Sequence, residues 1–210
     1  WKEHFFKNSK DQFNSVHEQL IYTWKEIKPY LNGDVLHFSC IKESLEDLTN
    51  TEYLRDTAIQ AGIKTQLVYI DDIGWNGQHF VDLDDQPIQS IFKLYPWEWI
   101  VNEDFGINVI NDTLNTQWIE PSWKMILSNK AILAILWELF PNHPLLLESH
   151  FNTPKQLTQY VKKPLLSREG ANISMYVNNR MIFDTPGEYG QEGFIYQELA
   201  QLHRESSGYS

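Results

Sequence analysis

Apolar residues recur every three or four positions near the start of the chain, and short apolar runs separated by polar connections follow. The recurrence predicts an amphipathic helix over residues 11–31, which Asn32-Gly33 ends. A buried strand is predicted over 34–40, a second helix over 44–61 and a second strand over 64–70. Because helical crossovers join parallel strands, this β-α-β order predicts a parallel α/β layer. The apolar positions of the first helix are Phe13, Val16, Leu20, Trp24, Ile27 and Leu31.

Turn signals divide the middle of the chain into shorter elements. The Asn-Gly pair within 75–78 predicts a tight β-hairpin. A strand is predicted over 88–94, and a short helix begins in the run 96–99. The segment that follows has no clear period, and a loop is expected around 111–112.

The pattern changes near Trp118, so the chain is predicted to divide into 1–117 and 118–210. Ser128 is predicted to cap a helix over 129–140, which Pro141 ends. The rest of this half is predicted to be strands, two of them joined as a hairpin through Asn178-Asn179. The predicted strands are 160–166, 172–177, 180–184 and 193–199.

Composition and charge exclude several classes of protein. Hydrophobic residues make up 42% of the 210 residues, which is enough for a sizeable core. The net charge of −11 argues against nucleic-acid and anionic-membrane binding, because an acidic surface repels phosphates. No apolar run approaches the roughly 20 residues of a membrane span, and no signal peptide is recognised. The single cysteine, Cys40, excludes an internal disulfide framework and fits a cytosolic protein.

The most suggestive polar segment runs from Lys162 to Asn172. A strand that carries lysine leads into a short loop with Gly170 at its centre, and a second strand follows. Glycine lets the backbone approach a ligand closely, and consecutive backbone N–H groups can cradle phosphates. Lys163 and Arg168 would add positive charge beside them. The spacing is not that of a Walker A loop, so a plain charged β-turn stays open as the other interpretation.

Two further segments are compatible with nucleotide binding. Lys130 lies in the first turn of the predicted helix, where a positive charge opposes the helix dipole and a negative ligand would explain it. An ordinary solvated lysine is the alternative. The segment 193–199 is an apolar strand that turns polar at its end, where a hinge could bind an adenine edge. A buried strand is the alternative there.

Other reactive residues are interpreted as structural. Cys40 is expected to be a buried thiol, and His37 to lie on the opposite face of the same strand. The acidic residues at 71–72 and 82–85 are expected to be solvated loop charge rather than a cation site. His143 is expected in a turn. Neither a zinc-ligand spacing nor a G-x-S-x-G nucleophile motif occurs.

Taken in order, three segments resemble the glutathionylspermidine synthase family and its bacterial relatives. The resemblance covers essentially the whole chain and is most specific from 118 to 199. It implies an α/β (α+β), ATP-grasp-like fold. Residues 1–117 would then form a substrate-side (pre-ATP-grasp) region, and 118–210 a nucleotide-binding region incomplete at its C-terminus. The segments are Trp118-Ile119-Glu120-Pro121-Ser122-Trp123-Lys124 with 128–133 and 136–141, then Lys163-Pro164 with 168–172, then Ile195-Tyr196-Gln197-Glu198-Leu199.

The resemblance also implies roles for single residues. Lys130 and Lys163 match two lysines that contact the phosphates of ATP, and Arg168 matches an active-site arginine. The loop that covers the phosphates is matched by Glu169 and Gly170, although some members have Cys in place of Glu169. The adenine hinge is matched by Gln197, Glu198 and Leu199.

The implied activity is that of an ATP-dependent carboxylate–amine ligase, which forms an amide bond through an acyl phosphate. The implied partners are ATP, Mg²⁺, a small carboxylate that could resemble glutathione, and an amine that could be a polyamine. The family's magnesium ligands are expected upstream of the point that matches Trp1. The segments that complete the nucleotide cleft are expected beyond Ser210. The chain alone is therefore expected to be inactive.

Two other interpretations stay open from the sequence. A non-catalytic interaction domain could keep the ATP-grasp fold, as the many aromatic residues and the missing metal ligands suggest. A cysteine hydrolase would depend on Cys40 alone. Nucleotide titration separates the first alternative from the ligase, and native thiol labelling tests the second.

Overall fold

A computed structural model describes residues 14–200. The chain divides into two compact units, Trp1–Ser122 and Trp123–Ser210. The predicted boundary between 117 and 118 separates regions by function, and it stays a prediction. The described part contains a parallel and an antiparallel sheet with helices, so the α/β class is confirmed.

The first unit is built on a four-stranded sheet with the order β2-β1-β5-β6, and its paired strands are parallel. A small antiparallel hairpin of β3 and β4 accompanies it. The helices are α1 (Val16–Ile27), α2 (Leu45–Gln60), α3 (Trp97–Ile100) and α4 (Asn108–Asn111). The strands are β1 (Leu36–Cys40), β2 (Thr65–Leu67), β3 (Gly74–Trp75), β4 (Phe80–Val81), β5 (Ser90–Leu94) and β6 (Gln117–Ile119). The 3₁₀ turns lie at Lys28–Tyr30, Ile70–Asp72, Asp104–Ile107 and Ser122–Lys124.

The core of the first unit lies on both faces of this sheet, because successive residues of a strand point to opposite sides. Phe38 of β1 packs in a cluster with Trp24 of α1 and with residues of α2. Ile91 of β5 packs in a second cluster with Phe80 of β4. The indole N–H of Trp24 also donates to Thr57 Oγ1 at 3.0 Å, which joins α1 to α2.

Most predicted elements of the first unit are confirmed, with shorter bounds. The predicted helix over 11–31 is α1 followed by a 3₁₀ turn, and residues 11–13 lie outside the described part. Helix α2 begins after Ser44, whose hydroxyl accepts from the Asp47 amide at 3.1 Å. Its crossover joins β1 to the parallel strand β2, as predicted. The strand predicted over 64–70 ends at Leu67, and a 3₁₀ turn takes its last residue.

The second unit carries a five-stranded antiparallel sheet with the order β10-β9-β8-β11-β7. The predicted hairpin through Asn178-Asn179 is confirmed, with φ values of 50° and 60° that match a type I′ turn. The helices are α5 (Met125–Ser128) and α6 (Ala131–Leu139). The strands are β7 (Ser149–Phe151), β8 (Gln159–Pro164), β9 (Ser174–Val177), β10 (Arg180–Asp184) and β11 (Phe194–Glu198).

The prediction that Ser128 caps a helix over 129–140 is wrong in its start. Ser128 ends α5, and the chain breaks helical geometry at Asn129 before α6 begins at Ala131. The side chain of Asn129 accepts from the Ala131 amide at 2.9 Å and so takes the capping role. Lys130 directly follows this cap with helical φ and ψ of −64° and −13°, so it lies in the N-terminal turn of the helix, as predicted.

Candidate functional site

Lys130 is held against the segment that follows β8. Its backbone N–H donates to the carbonyl of Leu165 at 2.8 Å. Its ammonium Nζ donates to the carbonyl of Ser167 at 2.8 Å. The backbone and the ammonium group of Lys130 are thus both bonded to the same short segment. Lys130 and the loop predicted to cover phosphates are therefore neighbours.

Lys163 lies on β8, two residues before the carbonyl that binds Lys130. Its Nζ donates to Gln197 Oε1 on the adjacent strand β11 at 2.6 Å. Burial lowers the pKa of Lys163 from its ordinary value, because the ammonium loses water. Gln197 is itself buried. The ammonium is thus turned toward the adjacent strand of the sheet.

Residues 168–171 form a tight turn directly after Ser167, whose carbonyl binds Lys130. Glu169 and Gly170 have φ values of 51° and 75°, and the Ala171 N–H donates to the Arg168 carbonyl at 2.9 Å. Two central residues with positive φ closed by this bond are typical of a type I′ turn. A Cβ added to Gly170 would have no heavy atom within 4 Å, so one side of the turn faces open space.

Thr185 anchors the turn to the hairpin of β9 and β10. Its hydroxyl donates to the Gly170 carbonyl at 2.5 Å and accepts from the Ile173 amide at 2.9 Å. Its backbone N–H donates to the Ile173 carbonyl at 3.0 Å. The exposed turn therefore has a defined base, while its tip at 168–170 is solvent-exposed.

The predicted hinge residues have most of their donors engaged within the sheet. The Glu198 amide donates to the Glu148 carbonyl at 2.7 Å, and the Leu199 amide donates to the Gln159 carbonyl at 3.2 Å. Both residues line an open hollow of about 670 Å³ together with Ala200. An adenine edge placed there would need backbone groups other than those two amides.

The structure therefore brings together, within the second unit, Lys130 with the loop after β8 and Lys163 with Gln197. Glu198 and Leu199 line a hollow at the end of the same strand. The Arg168 side chain is exposed on the turn beside them. These are contacts of the fold, and the ligand roles of the eight residues stay predictions.

Asp82 is a buried site that the sequence analysis missed, and its assignment to solvated loop charge is wrong. Its Oδ1 accepts from the amides of Asp84 and Gln86, both at 2.9 Å. Its Oδ2 accepts from Gln66 Nε2 at 2.9 Å and lies 3.4 Å from His37 Nε2. Asp84 and Asp85 are exposed, as predicted. A pattern of adjacent acidic residues does not reveal which one folds inward.

The interpretation of Cys40 as a buried structural thiol is confirmed, since it is fully buried. Burial raises the pKa of Cys40, and the charges of Asp47 and Glu52 add to the increase. Thiolate is the reactive form, so native Cys40 should react with iodoacetamide at least about tenfold more slowly than after denaturation. Mass spectrometry of timed samples measures this. Equal rates before and after denaturation would contradict the burial.

Among residues 14–200, no three or more His, Cys, Asp or Glu side chains are grouped as a metal site requires. None of the helices in this range has the length and apolar character needed to cross a membrane.

Comparison with known proteins gives relatives along the whole chain. A family model described as glutathionylspermidine synthase pre-ATP-grasp matches residues 1–210. The chain is 43% identical over 205 residues to a Haemophilus influenzae protein named "Putative acid--amine ligase", covering 92% of this chain and 52% of the relative. It is 26% identical over 228 residues to the bifunctional glutathionylspermidine synthetase/amidase of Escherichia coli, covering 95% and 36%. It is 27% identical over 200 residues to the trypanothione synthetase of Crithidia fasciculata, covering 83% and 30%. The chain thus spans about half to a third of the length of these relatives.

Proposed function

The chain belongs to the glutathionylspermidine synthase pre-ATP-grasp family, and from this premise we propose that it is part of an ATP-dependent carboxylate–amine ligase. The relatives carry names of amide-forming ligases. The single observation that carries the nucleotide assignment is the pairing of Lys130 with the loop after β8, two residues from Lys163. An ammonium group beside an exposed turn, with a second lysine on the strand that leads into that turn, suits a polyphosphate.

In this proposal the phosphates of ATP lie between Lys130, Lys163 and the turn at 168–170. Each lysine now donates to a neutral oxygen, a carbonyl or an amide side chain. A phosphate oxygen is a stronger acceptor because it is charged, so the lysines would exchange these partners for the ligand. Arg168 would add a third positive charge where charge develops in the transition state. The exposed N–H groups of the turn would complete the cradle.

The reaction then needs little covalent chemistry from the chain. The substrate carboxylate attacks the γ-phosphorus of ATP, and ADP leaves. The amine next attacks the carbonyl carbon of the acyl phosphate and displaces phosphate, which gives the amide. The residues named above position and neutralise phosphates in both steps. No residue of the described part is assigned to magnesium, since no suitable group of ligands lies there.

We propose a small carboxylate that resembles glutathione and an amine of the polyamine class as substrates, as the names of the relatives suggest. The parent protein is expected in the cytosol, which suits a buried free thiol at Cys40. A full-length parent should release ADP only when both a carboxylate and an amine are supplied. ADP release without an amine would point to a simple ATPase or a kinase.

Titration of the chain with ATP and ADP, followed by calorimetry, tests the nucleotide assignment directly. We expect measurable binding of both nucleotides even if the piece cannot complete a reaction. If neither nucleotide binds at millimolar concentration, the assignment fails and a non-catalytic interaction domain becomes the better account.

The adenine contact gives a second test. The amides of Glu198 and Leu199 are already used, so we propose the N–H of Ala200, the next residue along the hollow, as the donor to the base. Ala200→Pro removes this N–H and should weaken ATP binding about tenfold, the value of one hydrogen bond that is not replaced. Ala200→Gly keeps the N–H and serves as the matched control. Equal losses in the two variants would assign the effect to the backbone conformation instead.

A further inference from the structure

A second hollow lies in the first unit, and none of its lining residues is among those assigned to ATP. Its volume is about 40 Å³. One water needs roughly 10–15 Å³, so there is room for a short alkyl segment. The walls are almost wholly apolar, and such cavities take apolar groups more readily than water. Among the lining residues are Ile70, Phe80, Ile100, Glu103, Phe105 and Trp118, and we call the site the aromatic hollow.

Three of these residues are aromatic and pack edge to face or at a tilt. The ring centroids of Phe80 and Trp118 are 5.3 Å apart, and those of Phe80 and Phe105 are 5.9 Å apart. Aromatic faces attract cations by their quadrupole, most strongly where water is excluded. The wall therefore favours an alkyl chain that ends in a positive charge over a neutral one.

The one charged residue of the lining is Glu103, and it is solvent-exposed at the rim. The hydroxyl of Tyr95 donates to its carboxylate Oε1, which fixes the direction of the carboxylate. Burial raises the pKa of Tyr95, and the hydrogen bond to Glu103 and the charges of Glu103 and Asp71 raise it further. The potential at this rim is thus negative, and it would attract an ammonium group.

The position of the hollow in the fold is also typical of a ligand site. Ile70 follows the end of β2, and Ile100 and Glu103 follow the end of β5. Ligands of open parallel sheets bind beyond the carboxyl ends of the strands, where the order of strands reverses direction. In this sheet the order reverses at β1. The next strand along the chain, β2, lies on one side of β1, and β5 lies on the other side of β1.

We propose that the aromatic hollow binds the alkylammonium end of the amine substrate, with the aliphatic chain among the rings and the ammonium at Glu103. The identification of this amine as a substrate rests on the proposed ligase function. The binding of a primary alkylammonium by this part of the chain does not.

Calorimetric titration with n-butylammonium and with 1-butanol tests the proposal, because the two probes have similar shape and differ in charge. At low salt the chain should bind butylammonium about tenfold more tightly than butanol. Glu103→Gln should reduce this preference to about threefold or less, because only the attraction of the aromatic faces for the cation then remains. Asp104→Asn removes the same charge from the adjacent exposed residue, which does not line the hollow, and should keep the preference within about twofold. Equal binding of the two probes, or an unchanged preference in Glu103→Gln, would overturn the proposal.

A variant that fills the hollow adds a separate check. Val109→Phe places a ring in the lining and should weaken both probes about tenfold. If this variant does not fold, as a thermal melt would show, the pair of Glu103 and Asp104 variants decides alone. ATP should bind all of these variants equally. In the wild-type chain, loss of ATP binding with butylammonium binding intact would refute the nucleotide assignment only, and absence of butylammonium binding with ATP binding intact would refute the aromatic hollow only.

Discussion

Replacing Lys163 with methionine is expected to weaken ATP binding about 100-fold, while the fold stays intact. Hydrogen bonds to charged groups contribute about 1.5–3 kcal/mol each, and the upper part of this range corresponds to that factor. Methionine fills a similar volume without the charge. Calorimetric titration of both proteins with ATP measures the effect.

The neighbouring residue provides the control. The ammonium of Lys162 lies 4.0 Å from the centroid of the Phe194 ring, and alternation along β8 turns it to the opposite face from Lys163. Lys162→Met should therefore change ATP affinity by less than about threefold. If both variants lose affinity equally, general charge near the sheet would explain binding better than a specific contact.

Lys163→Met should have only a small effect on the stability of the fold. Burial lowers the pKa of Lys163, so the unfolded chain holds this proton more tightly than the folded chain does. Stability from this position therefore rises with pH across the interval between the folded and unfolded pKa values. Methionine removes the cost of burying the charge but also the bond to Gln197. We expect a change in the free energy of unfolding of no more than about 1 kcal/mol.

Asp82→Ala is expected to destabilise the first unit by about 3–5 kcal/mol, because it leaves several donors without their acceptor and each buried donor left unsatisfied costs about 1–3 kcal/mol. The carboxylate is almost fully buried and accepts bonds from the loop over 84–86 and from Gln66 on β2. Its removal leaves His37 buried without this partner. Chemical denaturation followed by tryptophan fluorescence measures the loss.

Asp85→Asn is the matched control, because Asp85 is exposed with a φ of 56° that asparagine adopts readily. It should change stability by less than about 0.5 kcal/mol. A loss as large as that of Asp82→Ala would show that loop charge, and not burial, sets the effect.

The effect of Asp82 should also depend on pH. Burial alone would raise the pKa of Asp82, but the backbone bonds from Gln86 and Asp84 and the contact with His37 outweigh it and hold the pKa below 3.8. A lowered pKa stabilises the fold above the unfolded value, and this stabilisation is lost as pH falls through the folded value. The difference in stability between wild type and Asp82→Asn should therefore shrink as the pH falls through the lowered pKa of Asp82.

Local signals explain which parts of the structure were predictable. The turn at Asn178-Asn179 and the helix over 44–61 depend on neighbouring residues, and both were predicted from the sequence. The capping bond of Ser44 was seen only in the structure. The segment at 102–116 has no period because it consists of short 3₁₀ and α turns. The start of the helix after Ser128 was misplaced because Asn129 competes as a cap one residue later.

Contacts between distant residues were not predictable from the pattern. Lys130 binds the carbonyl of Ser167, 37 residues later, and Asp82 lies against His37, 45 residues earlier. Periodicity gives the face on which a side chain lies, but not its partner across the sheet. The roles proposed for the lysines therefore came from a family resemblance, whereas Asp82 appeared only with the fold.

The outer strand of the antiparallel sheet, β10, is expected to affect the solubility of this chain. All five residues of β10 are exposed, including Met181, Ile182 and Phe183, and among residues 14–200 no strand pairs with its outer edge. Open apolar edges are templates for added strands from other molecules. Concentrated samples are expected to aggregate through this edge strand, and a lysine introduced into β10 should reduce the aggregation.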